Sequence, residues 1–161
     1  MSNPSTSPRP LRWQWSPFSE LTASDLYAAL QLRQRVFVVE QACAYLDADG
    51  DDPLAHHLLG WDGDRLVAYA RVFRPGDKYA EASIGRVVSD PDARGQGHGR
   101  ALFAEALRCT DALTSGAPIR LGAQAYLERF YAGFGFVRAS DEYVEDGIPH
   151  VQMTRAAERT P

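Results

Sequence analysis

The chain reads as one α/β domain built on a mixed sheet. Two observations carry that reading. Hydrophobic patterns of period two and period 3.6 follow one another in the order β-α-βββ-α-β-α-ββ, and the 161 residues hold no repeat or internal linker. At 45% hydrophobic and 24% charged, a chain this long buries roughly two-thirds of its unfolded surface without help from disulfides or metal. The expected division is a tail over 1–10, one domain over 11–155 and a short tail over 156–161.

Leu11 to Ser16 alternates Leu, Trp and Trp with Arg, Gln and Ser, the period of a strand. Thr22 and Asp25 resemble a capping box, so a helix is expected to start there, with Leu26, Ala29, Leu30, Val36 and Phe37 on its apolar face. Arg33 interrupts that stripe; either it snorkels or the face meets something polar. Asp47 to Pro53 is an acidic loop. His56 to Trp61 and Arg65 to Phe73 flank Asp62-Gly63-Asp64 as a hairpin, and Glu81 to Ser89 is the next strand. Leu102, Ala106, Cys109 and Leu113 form a helical stripe, and Ile119 to Ala125 is strand-like. Leu127, Phe130, Tyr131 and Phe134 mark a short helix ended by Gly133 and Gly135. Phe136 to Val144 and Ile148 to Thr154 close the chain as two strands around Asp146-Gly147.

Composition narrows the function classes. A net charge of −4 argues against a sequence-independent grip on nucleic acid. The longest apolar runs, such as Leu26 to Leu30, are five residues against the ~18 that span a bilayer, so no membrane partner is expected. No signal peptide opens the chain, and two cysteines are too few for a disulfide framework or zinc site, which suggests a cytoplasmic protein. Both Cys43 and Cys109 read as core packing. No metal is expected: Gly50 sits at the wrong position for an EF-hand, and His56 and His57 point to opposite faces of a strand.

The most informative stretch is Arg94-Gly95-Gln96-Gly97-His98-Gly99-Arg100, between a strand and a helix. Three alternate glycines free the backbone to curl with its N–H groups inward, and the helix N-terminus reinforces this anion cradle. It lacks the Lys of a Walker loop and the third glycine of a Rossmann fingerprint, which leaves a pyrophosphate other than that of ATP or NAD.

Val87 to Gly99 resembles the acyl-CoA signature of the GNAT superfamily, Arg/Gln-x-x-Gly-x-Gly/Ala, and Phe130 to Phe136 is similar to its second motif. Phe37-Val38-Val39-Glu40-Gln41, Ile84-Gly85-Arg86-Val87, Ala123-Gln124-Ala125 and Glu145-Asp146-Gly147-Ile148-Pro149-His150 resemble segments of the ElaA-like branch. The resemblance implies a mixed, mostly antiparallel sheet splayed between strands 4 and 5 and flanked by helices. Acetyl-CoA would be the co-substrate, its pantetheine arm along Val87, Val88 and Ser89. Its pyrophosphate would lie on the amides of Gly95, Gln96, Gly97, His98, Gly99 and Arg100, with Arg94 beside them.

It implies further that a small-molecule or peptide amine attacks the thioester directly. Tyr131 matches the usual position of the acid that protonates the leaving thiolate. Many relatives carry a Glu base on the fourth strand, where this chain has Ser83, Ile84, Gly85 and Arg86. Glu40, Glu145, Asp146 and His150 remain as candidates, beside an ordered water chain, with Glu145 chosen here. Glu40, Arg86, Gln124, Asp146 and His150 are expected on the acceptor side, Arg86 as a substrate cation or a structural ion pair. Acids crowded into Glu40 to Asp52 and Asp141 to Asp146 suggest a cationic acceptor. A monomer or homodimer is expected. The rival readings are an acyl-CoA sensing module without catalysis and an acyl-homoserine-lactone synthase.

Overall fold

A computed structural model describes residues 9–158. The expected N-terminal tail falls mostly outside the described residues. The strands are β1 (Arg12–Pro17), β2 (His56–Asp62), β3 (Arg65–Phe73), β4 (Ala82–Ser89), β5 (Ile119–Gln124), β6 (Val137–Arg138), β7 (Tyr143–Glu145) and β8 (Ile148–Arg155). The helices are α1 (Ala23–Arg33), α2 (His98–Thr114) and α3 (Glu128–Ala132). The sheet runs β1-β2-β3-β4-β5-β8-β6, with β7 also paired to β8. Every pair is antiparallel except β4 with β5.

The expected capping box forms: Asp25 N–H donates to Thr22 Oγ1 at 3.0 Å and Thr22 N–H to the Asp25 carboxylate at 3.4 Å. Beyond Arg33 the helix widens into π turns over Gln34–Glu40, closed by Gln41 N–H to Val36 O and Cys43 N–H to Val38 O, both 3.0 Å. π turns inside a helix concentrate at functional sites, and this one ends beside the cleft.

The two faces of the sheet pack differently. Leu58, Ala68, Ala70, Val72 and Ile84 meet Leu102, Phe103, Ala106 and Cys109 of α2. Leu59, Trp61, Tyr69 and Val88 meet Ala29, Leu32 and Val36 of the α1 side. Cys109 therefore packs in the core as expected, and burial pushes its thiol up to about 11. Cys43 does not: it is half-buried and lines the cleft, its Sγ donating to Asp146 O at 3.2 Å.

Two features open the sheet. β4 and β5 pair only through Ala82↔Ile119 and Ser83↔Arg120, then diverge, which makes the expected splay. On the other side of β4, Tyr69↔Val88 and Arg71↔Gly85 place three steps on β4 against two on β3. That is a β-bulge, and Arg86 within it takes a left-handed φ of 50°. In consequence Ile84 and Val87, three apart, both pack toward α2.

The expected strand over 136–144 is broken in two. Ala139 N–H bonds to Gln152 O and Ser140 Oγ accepts from Gln152 N–H, so the polar run Ser140-Asp141-Glu142 leaves the ladder before β7 begins. The β7–β8 turn is Asp146-Gly147, with φ of 51° and 77°, both positive as a two-residue type I′ turn requires. Gly135, at φ 90°, ends the turn after α3; Gly133 keeps helical angles.

Candidate active site

The splay and the bulge leave a cavity of about 570 Å³ between β4 and β5, roofed by the end of α1 and the β7–β8 hairpin. Most of the residues singled out from sequence meet on its wall. Val87, Val88 and Ser89 supply the β4 edge, and Arg94 and Gly99 the cradle side. Tyr131 and Gln124 come from the α3 and β5 side, Glu40 and Arg86 from the roof and bulge, and Glu145, Asp146 and His150 from the hairpin. Gly95, Gln96, Gly97, His98 and Arg100 do not line this cavity.

The glycine loop has the curl its sequence suggests at two of three positions. Gly95 and Gly97 have φ of 82° and 78°, a region that side chains resist, and a Cβ on either would meet nothing within 4 Å. Gly99 instead lies in the first turn of α2. The cradle is thus open space over the N-terminus of a 17-residue helix, a fit for an anionic diphosphate. Arg100 turns away, its guanidinium carbon 5.6 Å from the Phe134 ring centroid. Arg94 grips Glu40 with both nitrogens, at 3.0 and 2.5 Å.

Beneath the acceptor end lies a buried ionic network that answers the question Arg33 raised. Arg33 is wholly buried; its Nε donates to Asp47 Oδ2 and its Nη1 to Asp52 Oδ1, both at 2.8 Å. Arg71, 1% exposed, holds Asp49 with two bonds of 2.9 Å and Asp52 with another of 2.9 Å. Arg86 Nε donates to Asp47 Oδ1 at 2.8 Å. Burial works against ionisation of Asp49 and Asp52, but hydrogen bonds from Arg71 and Arg33 outweigh it and hold both below the ordinary carboxylate range. The acid-rich loop therefore does not form a free acidic rim: Asp47, Asp49 and Asp52 serve as counter-ions for three arginines. Arg86 is a structural ion pair that also faces the cleft.

His57 belongs to the same support. Its Nε2–H donates to Asp52 O at 3.0 Å and its Nδ1 accepts from Tyr69 Oη–H at 2.7 Å, so both ring nitrogens are used. Burial holds it below its usual pKa, neutral. His56 lies on the other side of the strand, stacked on Trp15, so the two rings share no site, as expected.

Tyr131 is at once a packed aromatic and part of the cavity wall. Its ring packs edge-on against Phe103 at 5.0 Å and Phe130 at 5.2 Å, and the residue also lines the cavity. Burial raises its phenol above the usual value, so it is protonated at neutral pH. On the hairpin, His150 Nδ1 lies 2.7 Å from Ile148 O. A carbonyl can only accept, so Nδ1 carries a proton and, of the two neutral tautomers, the contact selects the one with its lone pair on Nε2. Glu145 Oε2 is 3.9 Å from that Nε2.

Sequence reading missed Arg71, Lys78, Tyr45 and Cys43 on the cavity wall. A signal existed for two of them: Arg71 is the one charge within the apolar run Leu66–Phe73, and Lys78 is the chain's sole lysine.

A sheet splayed at β4–β5, a glycine cradle at the head of the next helix and a polar cleft between them define an acyl-CoA N-acyltransferase. The acetyltransferase (GNAT) domain profile matches residues 27–157, and the chain belongs to that family. ElaA of Escherichia coli is 46% identical over 147 residues, covering 90% of this chain and 96% of ElaA. Among solved structures, an acyl-CoA N-acyltransferase from Pseudomonas aeruginosa superposes with a TM-score of 0.88 at 44% identity, covering 91% of this chain and 99% of that one. The E. coli ElaA structure gives 0.85 at 46%, with 90% and 99% covered. No helix among the described residues is long and apolar enough to cross a membrane, and they hold no cluster of metal-ligating side chains.

Proposed function

We propose that the protein moves an acetyl group from acetyl-CoA to an amine nitrogen by direct attack, without an acyl-enzyme. The observation that supports this most is the single cavity onto which the β4 edge, the cradle residues Arg94 and Gly99, Tyr131 and the His150–Glu145 pair all open. Bound acetyl-CoA supplies the thioester that the amine attacks. The amides at the head of α2 and the left-handed Gly95 and Gly97 bind its diphosphate.

His150 Nε2 takes the proton from the attacking amine, and the Glu145 carboxylate stabilises the imidazolium that results. Glu145, chosen from sequence as the base, thus acts as the partner of the base. Glu40 is occupied by Arg94, and Asp146 lies in the hairpin turn. Tyr131 gives its proton to the leaving sulfur. Burial makes the phenol a weaker acid, but the same burial makes a thiolate there more basic, so the transfer stays matched.

Intact-protein mass spectrometry tests direct attack. Mixed with acetyl-CoA alone, the enzyme is expected to stay unmodified; with an amine added, the acetyl group appears on the amine. An acetylated protein that forms and then decays on amine addition would overturn the reading.

A further inference from the structure

We infer that the amine accepted here also carries an anionic group, a carboxylate in the simplest case, held by Lys78 and Arg71 on the β3–β4 wall. The inference rests on the acyltransferase reading above and names its substrate class.

Lys78, exposed at the cavity wall, has no carboxylate within 4.0 Å among the described residues; its Nζ lies 5.5 Å from the Phe73 ring centroid. The other cations on this wall differ, since Arg86 has Asp47 at 2.8 Å and Arg94 has Glu40 at 2.5 Å. Arg71 is only partly satisfied. Its two terminal nitrogens hold Asp49 and Asp52, but its Nε–H, buried with the rest of the side chain, has no partner. An unpaired N–H on a buried guanidinium is costly, and the Nε/Nη2 edge is one of the two forks that take a carboxylate bidentately.

The space beside Arg71 is also open. Gly85 is its register partner on β4, and a Cβ there would meet nothing within 4 Å. Gly85 thus leaves a hollow next to two cations.

The opposite wall has the reverse sign. Glu145 and Asp146 line it from the hairpin, with His150 between β7 and β5. A simple cationic amine would satisfy that wall alone. An amine with an anionic group satisfies both, its nitrogen toward His150 and its anion toward Lys78. The loop acids behind it add little attraction for a cation, being already paired with Arg33, Arg71 and Arg86.

The experiment compares an α-amino acid, its amide, the amine left on decarboxylation and a dipeptide with a free carboxylate, in wild type and Lys78→Gln, by release of CoA thiol. Wild type is expected to use the carboxylate-bearing acceptors with kcat/KM about tenfold above the amide. Lys78→Gln should cut that preference to about twofold through KM, with kcat on the amide and the CoA-induced Tm shift unchanged. Comparison of amino acid with dipeptide shows which source of carboxylate fits. Equal use of acid and amide by wild type, or a preference untouched by Lys78→Gln, would overturn the inference. If no amine releases thiol, the acyltransferase reading fails; the inference then stands or falls on whether the amino acid, and not its amide, raises Tm in the presence of CoA.

Discussion

Glu40 holds Arg94 in a two-bonded ion pair across the mouth of the cleft, tying the π-helical end of α1 to the glycine cradle. A diphosphate on the cradle must share or replace that carboxylate. Glu40→Gln removes both the competitor and its repulsion, so CoA is expected to bind a few-fold more tightly, the scale of a partly exposed pair. Isothermal titration with CoA checks it; weaker binding would mean that Glu40 positions Arg94 for the ligand.

Gly97→Asp places a side chain and a negative charge on a left-handed residue at the head of α2. Saturating acetyl-CoA should raise the Tm of the wild type by mass action, and this variant should lose the shift. A preserved shift would move the diphosphate away from the glycine loop.

Tyr131→Phe keeps the edge-on packing against Phe103 and removes only the hydroxyl. Turnover should fall about 10²-fold with CoA affinity little changed. An unchanged rate would leave Tyr131 as a core aromatic only.

The fold was largely legible in the sequence because each element has a local cause: the Thr22–Asp25 box, the Asp-Gly turns, the stripe from Leu102 to Leu113. What was not legible depended on distant partners. Arg33 stands on an apolar stripe, and only the arrival of Asp47 and Asp52, 14 and 19 residues on, explains it. The acids of that loop looked like an attracting rim because charge in sequence does not show which arginine will face it. Cys43 was expected in the core, but it follows the π turns and lies at the cleft, where its partner Asp146 is 103 residues away. The curl of the glycine loop was readable because it is local backbone chemistry. The approach of His150 to Glu145 was not, since His150 is oriented by Ile148 O and meets Glu145 from across a turn.

The buried network predicts how stability depends on pH. Asp49 and Asp52 have depressed folded pKa values, so their contribution is present above about pH 4, the unfolded Asp range, and is lost as pH falls through the folded values. His56 and His57 are held neutral chiefly by burial, and on unfolding they take up protons below about pH 6.5, so a shallower loss begins there. Urea midpoints between about pH 8 and pH 3 should show a plateau, a gentle decline and then a steep one. Arg33→Met leaves Asp47 with Arg86 alone and Asp52 with Arg71 alone, both buried, and should cost about 3 kcal/mol. A loss under ~1 kcal/mol would mean the network contributes little.

The most direct test of the account is amine-dependent release of CoA thiol from acetyl-CoA by the wild-type protein, with the product's acetylated nitrogen identified by mass. The account predicts release that saturates with amine concentration and falls by about 10²-fold in His150→Gln, while the CoA-induced Tm shift persists in the variant. No release above the amine-free blank for any acceptor, with the Tm shift intact, would contradict it and make the protein an acyl-CoA binding module.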